Sequence, residues 1–220
     1  MAGYVICSLD AKTFEQLTTA PTMEQCMALA ENVLDGLDEV LGEYSDELAA
    51  DHAKWPLDRV ALAKSIERRL ASPDWYADLT YGDAVIWCNQ VLGSLQGEVG
   101  EQFGIDFRND NDGILYWDAA AMAAEQGATM MAEPQFGGSG FRNSRRSWSE
   151  LELNYAFYPP ADVQKLLAQL EGVRPHFEAP CDEDEDEEWS DEQEQFFEGL
   201  LEPVRKIAEE GRVMWVQTDT

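Results

Sequence analysis

The sequence has few of the residues that build metal centres and disulfide frameworks. It contains four cysteines and two histidines in 220 residues. The cysteines Cys7, Cys26, Cys88 and Cys181 are far apart and form no C-x-x-C pair. This pattern fits neither the usual Cys/His zinc motifs nor the disulfide framework of a small secreted domain. We therefore predict no metal site and no cofactor.

Long hydrophobic runs are also missing. The apolar run at residues 3–9 is short, ends at Asp10 and has no basic segment before it, so it does not resemble a signal peptide. No stretch approaches the roughly 20 apolar residues that span a bilayer. The sequence therefore predicts a cytoplasmic protein without a membrane segment.

Basic residues are scarce. Fifteen lysines and arginines stand against 44 acidic residues, which gives a formal net charge of −29. Phosphates of nucleic acids and anionic membranes repel such a surface, so neither is an expected partner. A basic protein is the favoured partner, although high net charge also serves solubility alone. The oligomeric state cannot be predicted from these features.

The residues present predict an α+β fold in which a helical N-terminal half packs on a small mixed or antiparallel sheet, as a single domain over residues 1–220. Apolar periodicity and cap signals such as Thr22 with Gln25 support the helices. The predicted helices lie at residues 10–18, 21–41, 58–70, 82–95, 119–126, 161–170 and 191–210. The predicted strands lie at residues 3–9, 103–107, 114–117, 151–158 and 213–218.

One segment is dominated by a single charge. Residues 182–188 read DEDEDEE, and residues 182–198 contain eleven acids and no base. Adjacent like charges repel each other and favour solvent exposure. We predict an exposed acidic loop at about residues 182–190.

The most unusual segment combines glycines with arginines. Residues 136–148 read FGGSGFRNSRRSW, so exposed backbone N–H groups and guanidinium groups lie close together along the chain. Such a loop can bind a phosphate or carboxylate, although it is not a P-loop because the G-x-x-x-x-G-K-[ST] pattern is missing. The candidate anion-binding residues are Arg142, Ser144, Arg145 and Arg146. The alternative is a structural loop whose arginines pair with the chain's own carboxylates.

Other candidate sites are weaker. The segment at residues 108–113 resembles a calcium loop at three positions, but Arg108 stands where the first ligand belongs and Ala119 where the last one does. It is better interpreted as a turn between two strands. No pair of carboxylates and no serine with a nearby base stands out, so we name no catalytic residue and leave open whether the chain is an enzyme.

The C-terminal half resembles the YfbM-like family of uncharacterised bacterial proteins. The resemblance rests on the helix start at residues 158–163 and on the amphipathic helix, turn and apolar strand at residues 207–216. The opening segment GYVICSLDAKTFEQL is similar to the start of that family. The matched parts cover about a third of the chain and mostly encode packing. The resemblance implies a cytoplasmic bacterial α+β domain and no activity, cofactor or catalytic residue.

Three functions remain open at this point. We expect a protein-binding or regulatory domain without catalysis, for example an acidic neutraliser of a basic toxin or nuclease. The alternative is a small-anion-binding or enzymatic domain that uses Arg142, Arg145 and Arg146. A structural or storage role is the third.

Overall fold

The fold is α+β, as the sequence predicts. The computed structural model describes residues 3–43, 58–71, 93–110, 115–131, 155–178 and 191–219. The chain divides into two compact units, which we call the sheet unit (Met1–Ala11 with Arg108–Thr220) and the helical unit (Lys12–Phe107). The single domain over residues 1–220 and the packing of the helical N-terminal half on the sheet stay predictions.

The helical unit is formed by helices whose ends are set by local hydrogen bonds. They are α1 (Ala11–Thr19), α2 (Met23–Glu43), α3 (Arg59–Leu70) and α4 (Glu98–Gln102), with a 3-10 turn at Gly93–Gln96. The capping box is confirmed, because the Thr22 N–H donates to Gln25 Oε1 at 2.8 Å and the Gln25 N–H donates to Thr22 Oγ1 at 3.2 Å. Asp58 caps α3 by accepting from the Ala61 N–H at 2.8 Å.

Glycines shape the end of the helical unit. A Cβ on Gly100 would lie 2.2 Å from the Leu95 carbonyl oxygen, so only glycine lets α4 pack on the preceding turn. Gly104 has φ +74°, a conformation that glycine adopts without strain. The predicted strand at residues 103–107 is therefore wrong over most of its length, since the chain turns at Gly104 and extends only from Phe107.

The sheet unit contains a five-stranded sheet. Its strands are β1 (Gly3–Leu9), β2 (Phe107–Asn109), β3 (Leu115–Tyr116), β4 (Tyr155–Tyr158) and β5 (Val213–Asp219). The order is β2-β1-β5-β4, and β3 also pairs with β1. β1 pairs antiparallel with β5 over its whole length, with Cys7 opposite Trp215. β5 occupies one edge of β1, so β2 and β3 share the other edge.

Four helices cover one face of this sheet. They are α5 (Trp117–Glu125), α6 (Pro160–Val173), α7 (Asp191–Phe196) and α8 (Glu202–Glu210). Ile6, Met214 and Val216 share a core with them because these residues point to the same side of the sheet. The rings of Phe177 and Phe196 stack in this core at 3.8 Å. Burial of this apolar surface is the main stabilising contribution to the unit.

A π-turn at Phe197–Leu201 joins α7 to α8 without ending the helix. Pro203 explains it, because proline lacks an N–H and its ring clashes with the carbonyl four residues earlier in a regular α-helix. The Glu202 N–H bonds to the Phe197 carbonyl instead. Gly211 then ends α8 with φ +66° and ψ +34°, the left-handed conformation that glycine commonly adopts after the last turn of a helix.

Most of the remaining sequence predictions agree with the structure. The helices and strands at residues 119–126, 161–170 and 213–218 match α5, α6 and β5 within a few residues. The turn predicted at residues 108–113 is wrong for Arg108 and Asn109, because β2 extends through both. β2 and β3 both pair with β1, and residues 111–114 lie outside the described residues. The helix predicted at residues 82–95 lies outside them except for its last turn. Within the described residues, no helix combines the length and the apolar character that crossing a membrane requires.

Candidate functional site

The predicted anion-binding loop lies outside the described residues. This holds for Arg142, Ser144, Arg145 and Arg146, and for the acidic loop at residues 182–190. Both stay predictions.

Most of the described cations are held by the chain's own carboxylates. Of the eleven lysines and arginines in the described ranges, at least seven lie within ion-pair distance of an aspartate or glutamate. The exposed carboxylates in the same ranges are more numerous than these seven cations. The described surface therefore presents negative charge that its own cations do not neutralise. The seven cations are Arg59, Arg108, Lys165, Arg174, Arg205, Lys206 and Arg212.

The C-terminal helix carries a row of these carboxylates. We call this row the acidic face; each of its side chains is exposed, and their spacing of three, four, four and seven residues places them on one side of the helix. The opposite side is buried in the core through Phe196, Leu200 and Val204. Arg205 falls in the same row, but its Nη2 bonds to Glu171 Oε1 at 2.7 Å. The acidic face consists of Asp191, Glu194, Glu198, Glu202 and Glu209.

The bond from Arg205 also explains the titration of Glu171. The hydrogen bond from Arg205 is the main cause that lowers the pKa of Glu171, with a further contribution from the charge of Arg174. Arg174 also bonds to Glu178, at 2.6 Å. This network ties α6 to α8, and it commits Arg205 to Glu171 on α6.

A second charged feature is buried at one end of β1 and β5. Ser8 is fully buried, and its hydroxyl donates to Asp110 Oδ2 and accepts from Arg212 Nε at 2.8 Å. The Asp110 side chain is 1% exposed and Arg212 is 7% exposed. Lys206 Nζ lies 3.1 Å from Asp110 Oδ1 and is half exposed. We call these four residues the buried polar cluster.

The electrostatics of this cluster favour a structural role. Burial, together with the negative charge of Asp110, raises the pKa of the Cys7 thiol to about 12, so Cys7 is not a nucleophile at neutral pH. The Ser8 hydroxyl is bonded on both sides and is fully buried. The cluster provides partners for this hydroxyl and for Asp110 Oδ2, whereas Asp110 Oδ1 makes no hydrogen bond within the described residues and is offset by the charge of Lys206.

The helical unit contains an open cleft with a volume of about 660 Å³. Its walls come from the first turns of α2, the start of α3 and the end of α4. They combine carboxylates with an aromatic ring and a single arginine. The residues that line it include Glu24, Met27, Glu31, Arg59 and Phe103.

Within the described ranges, no group of three or more histidine, cysteine, aspartate or glutamate side chains has the arrangement of a metal site. The cysteines described, Cys7 and Cys26, are both buried and free.

Comparison of the chain with protein-family models, with curated proteins and with solved structures gives no match. The resemblance to the YfbM-like family therefore stays a prediction.

Sequence reasoning missed the buried polar cluster and the cleft. Ser8 lies within an apolar strand and Arg212 lies beside one. This position is the only local signal that either side chain makes a buried hydrogen bond. Asp110 was assigned to a turn, where its burial cannot be read from the pattern. The cleft joins residues from three helices and has no motif of its own.

Proposed function

We propose that the chain is a non-catalytic domain that binds a basic protein partner, and that the acidic face is its docking surface. The observation that carries the proposal is the charge asymmetry of the described surface. Its cations are largely committed to internal ion pairs, whereas the acidic face is exposed over five carboxylates. Complementary charge of this kind accelerates and orients encounter with a cationic surface.

The row has a suitable geometry for this role. Asp191 to Glu202 spans about 16 Å along a helix, and the buried side of the same helix holds it firmly in the core. The backbone that carries the row is already ordered, so binding costs the conformational freedom of the exposed side chains but not that of the main chain. An extended basic segment is thus the favoured partner.

A defined probe tests the proposal. The probe is a fluorescein-labelled peptide of six Arg-Ala repeats, and its affinity is measured by anisotropy at 50 and 300 mM NaCl. The acidic-face variant carries Glu194→Gln, Glu198→Gln and Glu202→Gln. The matched control carries Asp35→Asn, Glu101→Gln and Glu125→Gln, three exposed acids elsewhere with the same change of net charge.

We expect the acidic-face variant to weaken binding ~10-fold or more at 50 mM NaCl, and the control to weaken it less than ~3-fold, because close charges dominate over screened distant ones. Equal weakening by both variants would show that only net charge matters and would contradict the proposal. Absence of binding by the wild-type chain would contradict it too. A duplex DNA of 20 base pairs serves as the anionic control and should not bind.

A further inference from the structure

The cleft of the helical unit already contains one guanidinium group, that of Arg59. Its Nη2 lies 2.5 Å from Glu31 Oε2, and its Nε donates to the Met27 carbonyl oxygen at 3.4 Å. The cleft thus offers a carboxylate and a main-chain carbonyl to the same cation. Both are acceptors, and a guanidinium has only donors, so the arrangement is complementary to an arginine side chain.

Arg59 is weakly held in this position. It is the first residue of α3, where the positive end of the helix dipole disfavours a cation. The side chains of Arg59 and Glu31 are 45% and 54% exposed, and ion pairs exposed to this degree contribute little to stability because solvent screens them. A guanidinium from another molecule can therefore replace Arg59 on Glu31 at little cost.

The rest of the cleft suits the same kind of group. Glu24 is exposed and adds a second carboxylate, while the half-buried ring of Phe103 lines the cleft. Aromatic rings attract guanidinium groups through their π-faces. The volume of about 660 Å³ lies within the range of small-ligand sites, roughly 300–1,000 Å³.

We infer that this cleft receives an arginine side chain of the basic partner, which displaces Arg59 from Glu31. The inference rests on the proposed function for the identity of the partner. Lysine should bind less well, because its ammonium is a compact point charge that cannot contact the carboxylate and the carbonyl as a planar fork does.

The test uses N-acetyl-arginine methylamide as the probe and its lysine counterpart as the comparison. Binding is followed by the NMR chemical shifts of the backbone amides of the intact chain. We expect Glu31→Gln to weaken arginine binding ~10-fold, because the principal carboxylate is lost. We expect Arg59→Gln to strengthen it ~3-fold or more, because the internal competitor is removed.

The matched control is Asp35→Asn, an exposed acid one turn further along α2, which should change the affinity less than ~2-fold after screening. Glu24→Gln is a second cleft variant and should weaken binding by ~3-fold. Thermal unfolding confirms that each variant is folded.

The opposite response of Arg59→Gln is decisive, since a purely structural role for Arg59 would give unchanged or weaker binding. Unchanged or weaker binding by Arg59→Gln, or equal affinity for the lysine probe, overturns the inference. Suppose that the wild-type chain binds the Arg-Ala peptide, and that the cleft variants change neither this binding nor the binding of the arginine probe. The inference then fails while the proposed function stands. If the arginine probe binds in the cleft and the Arg-Ala peptide does not bind, the proposed function fails instead.

Discussion

The two units of the chain use arginine in opposite ways. In the sheet unit, Arg212 is 7% exposed and donates to the hydroxyl and the carbonyl oxygen of Ser8 at 2.8 and 3.3 Å. In the helical unit, the Arg59 side chain is 45% exposed and bonds to a glutamate that is more exposed still. The first cation cannot leave without stranding buried polar groups, and the second can. Burial therefore separates charges that support the fold from charges that are free to exchange.

The largest expected effect is the loss of thiol reactivity on folding, which can be measured at one buried cysteine in each unit. Burial and the charge of Asp110 raise the pKa of Cys7 to about 12, and burial with the charge of Glu67 raises the pKa of Cys26 to about 11, both from 9.0. At pH 8 the thiolate fraction of both thiols should be lower by ~100-fold or more in the native chain than in urea. Iodoacetamide labelling followed by mass spectrometry measures both rates. Labelling of either thiol as fast in the native chain as in urea would show that burial does not suppress its ionisation.

Replacing the two arginines tests their contributions to stability. Arg212→Met removes the donor to Ser8 within the buried polar cluster, and we expect it to lower the free energy of unfolding by about 3 kcal/mol, as for other broken buried charge networks. Arg59→Met should lower it by less than ~0.5 kcal/mol. Urea denaturation measures both changes. Equal losses would show that burial does not distinguish the two residues.

A glycine in the helical unit shows that close packing also exists there. Gly100→Ala places a methyl group against the Leu95 carbonyl oxygen, and we expect a loss of about 2 kcal/mol from the resulting strain. Gly97→Ala is the control, because a Cβ there meets nothing within 4 Å and φ is −128°. It should change the free energy of unfolding by less than ~0.5 kcal/mol. A neutral Gly100→Ala would mean that α4 shifts freely and is not packed on this turn.

The smallest expected effect concerns the exposed network of the sheet unit. Because Arg205 lowers the pKa of Glu171 below 4.5, the ionised carboxylate stabilises the fold above about that pH. The stabilisation is lost as the pH falls through the lowered pKa of the folded state. Glu171→Gln should lower the free energy of unfolding at pH 7 by ~0.5 kcal/mol or less, since solvent screens the pair, and this loss should shrink as the pH falls through the lowered pKa. A loss that does not shrink toward acidic pH would show that it is not electrostatic.

The features that the sequence predicts correctly depend on neighbouring residues. The capping box at Thr22 and Gln25 acts over a few positions, so its pattern is visible along the chain. The buried polar cluster joins Ser8 to residues 102 and 204 positions away. No local pattern encodes such a contact, because it depends on how the strands pair.

The same limit applies to the cleft. Glu31 and Arg59 lie on different helices and meet only after these have packed. The sequence shows that acids are abundant, but not which of them lies opposite a cation. The predicted site at residues 142–146 depends on arginines that are close together in the sequence. Closeness in the sequence does not establish that their side chains are close in space.

The π-turn before Pro203 also determines which side chains of the C-terminal helix lie on the same side. In a regular α-helix a step of four residues overshoots one full rotation by about 40°, so residues spaced by four drift gradually around the axis. A turn that closes over five residues absorbs part of this drift. Glu194, Glu198 and Glu202 consequently stay aligned on one side while Phe196, Leu200 and Val204 stay aligned on the other. The proline that interrupts regular hydrogen bonding thus keeps the exposed row of carboxylates and the buried row of apolar side chains on opposite sides of the helix.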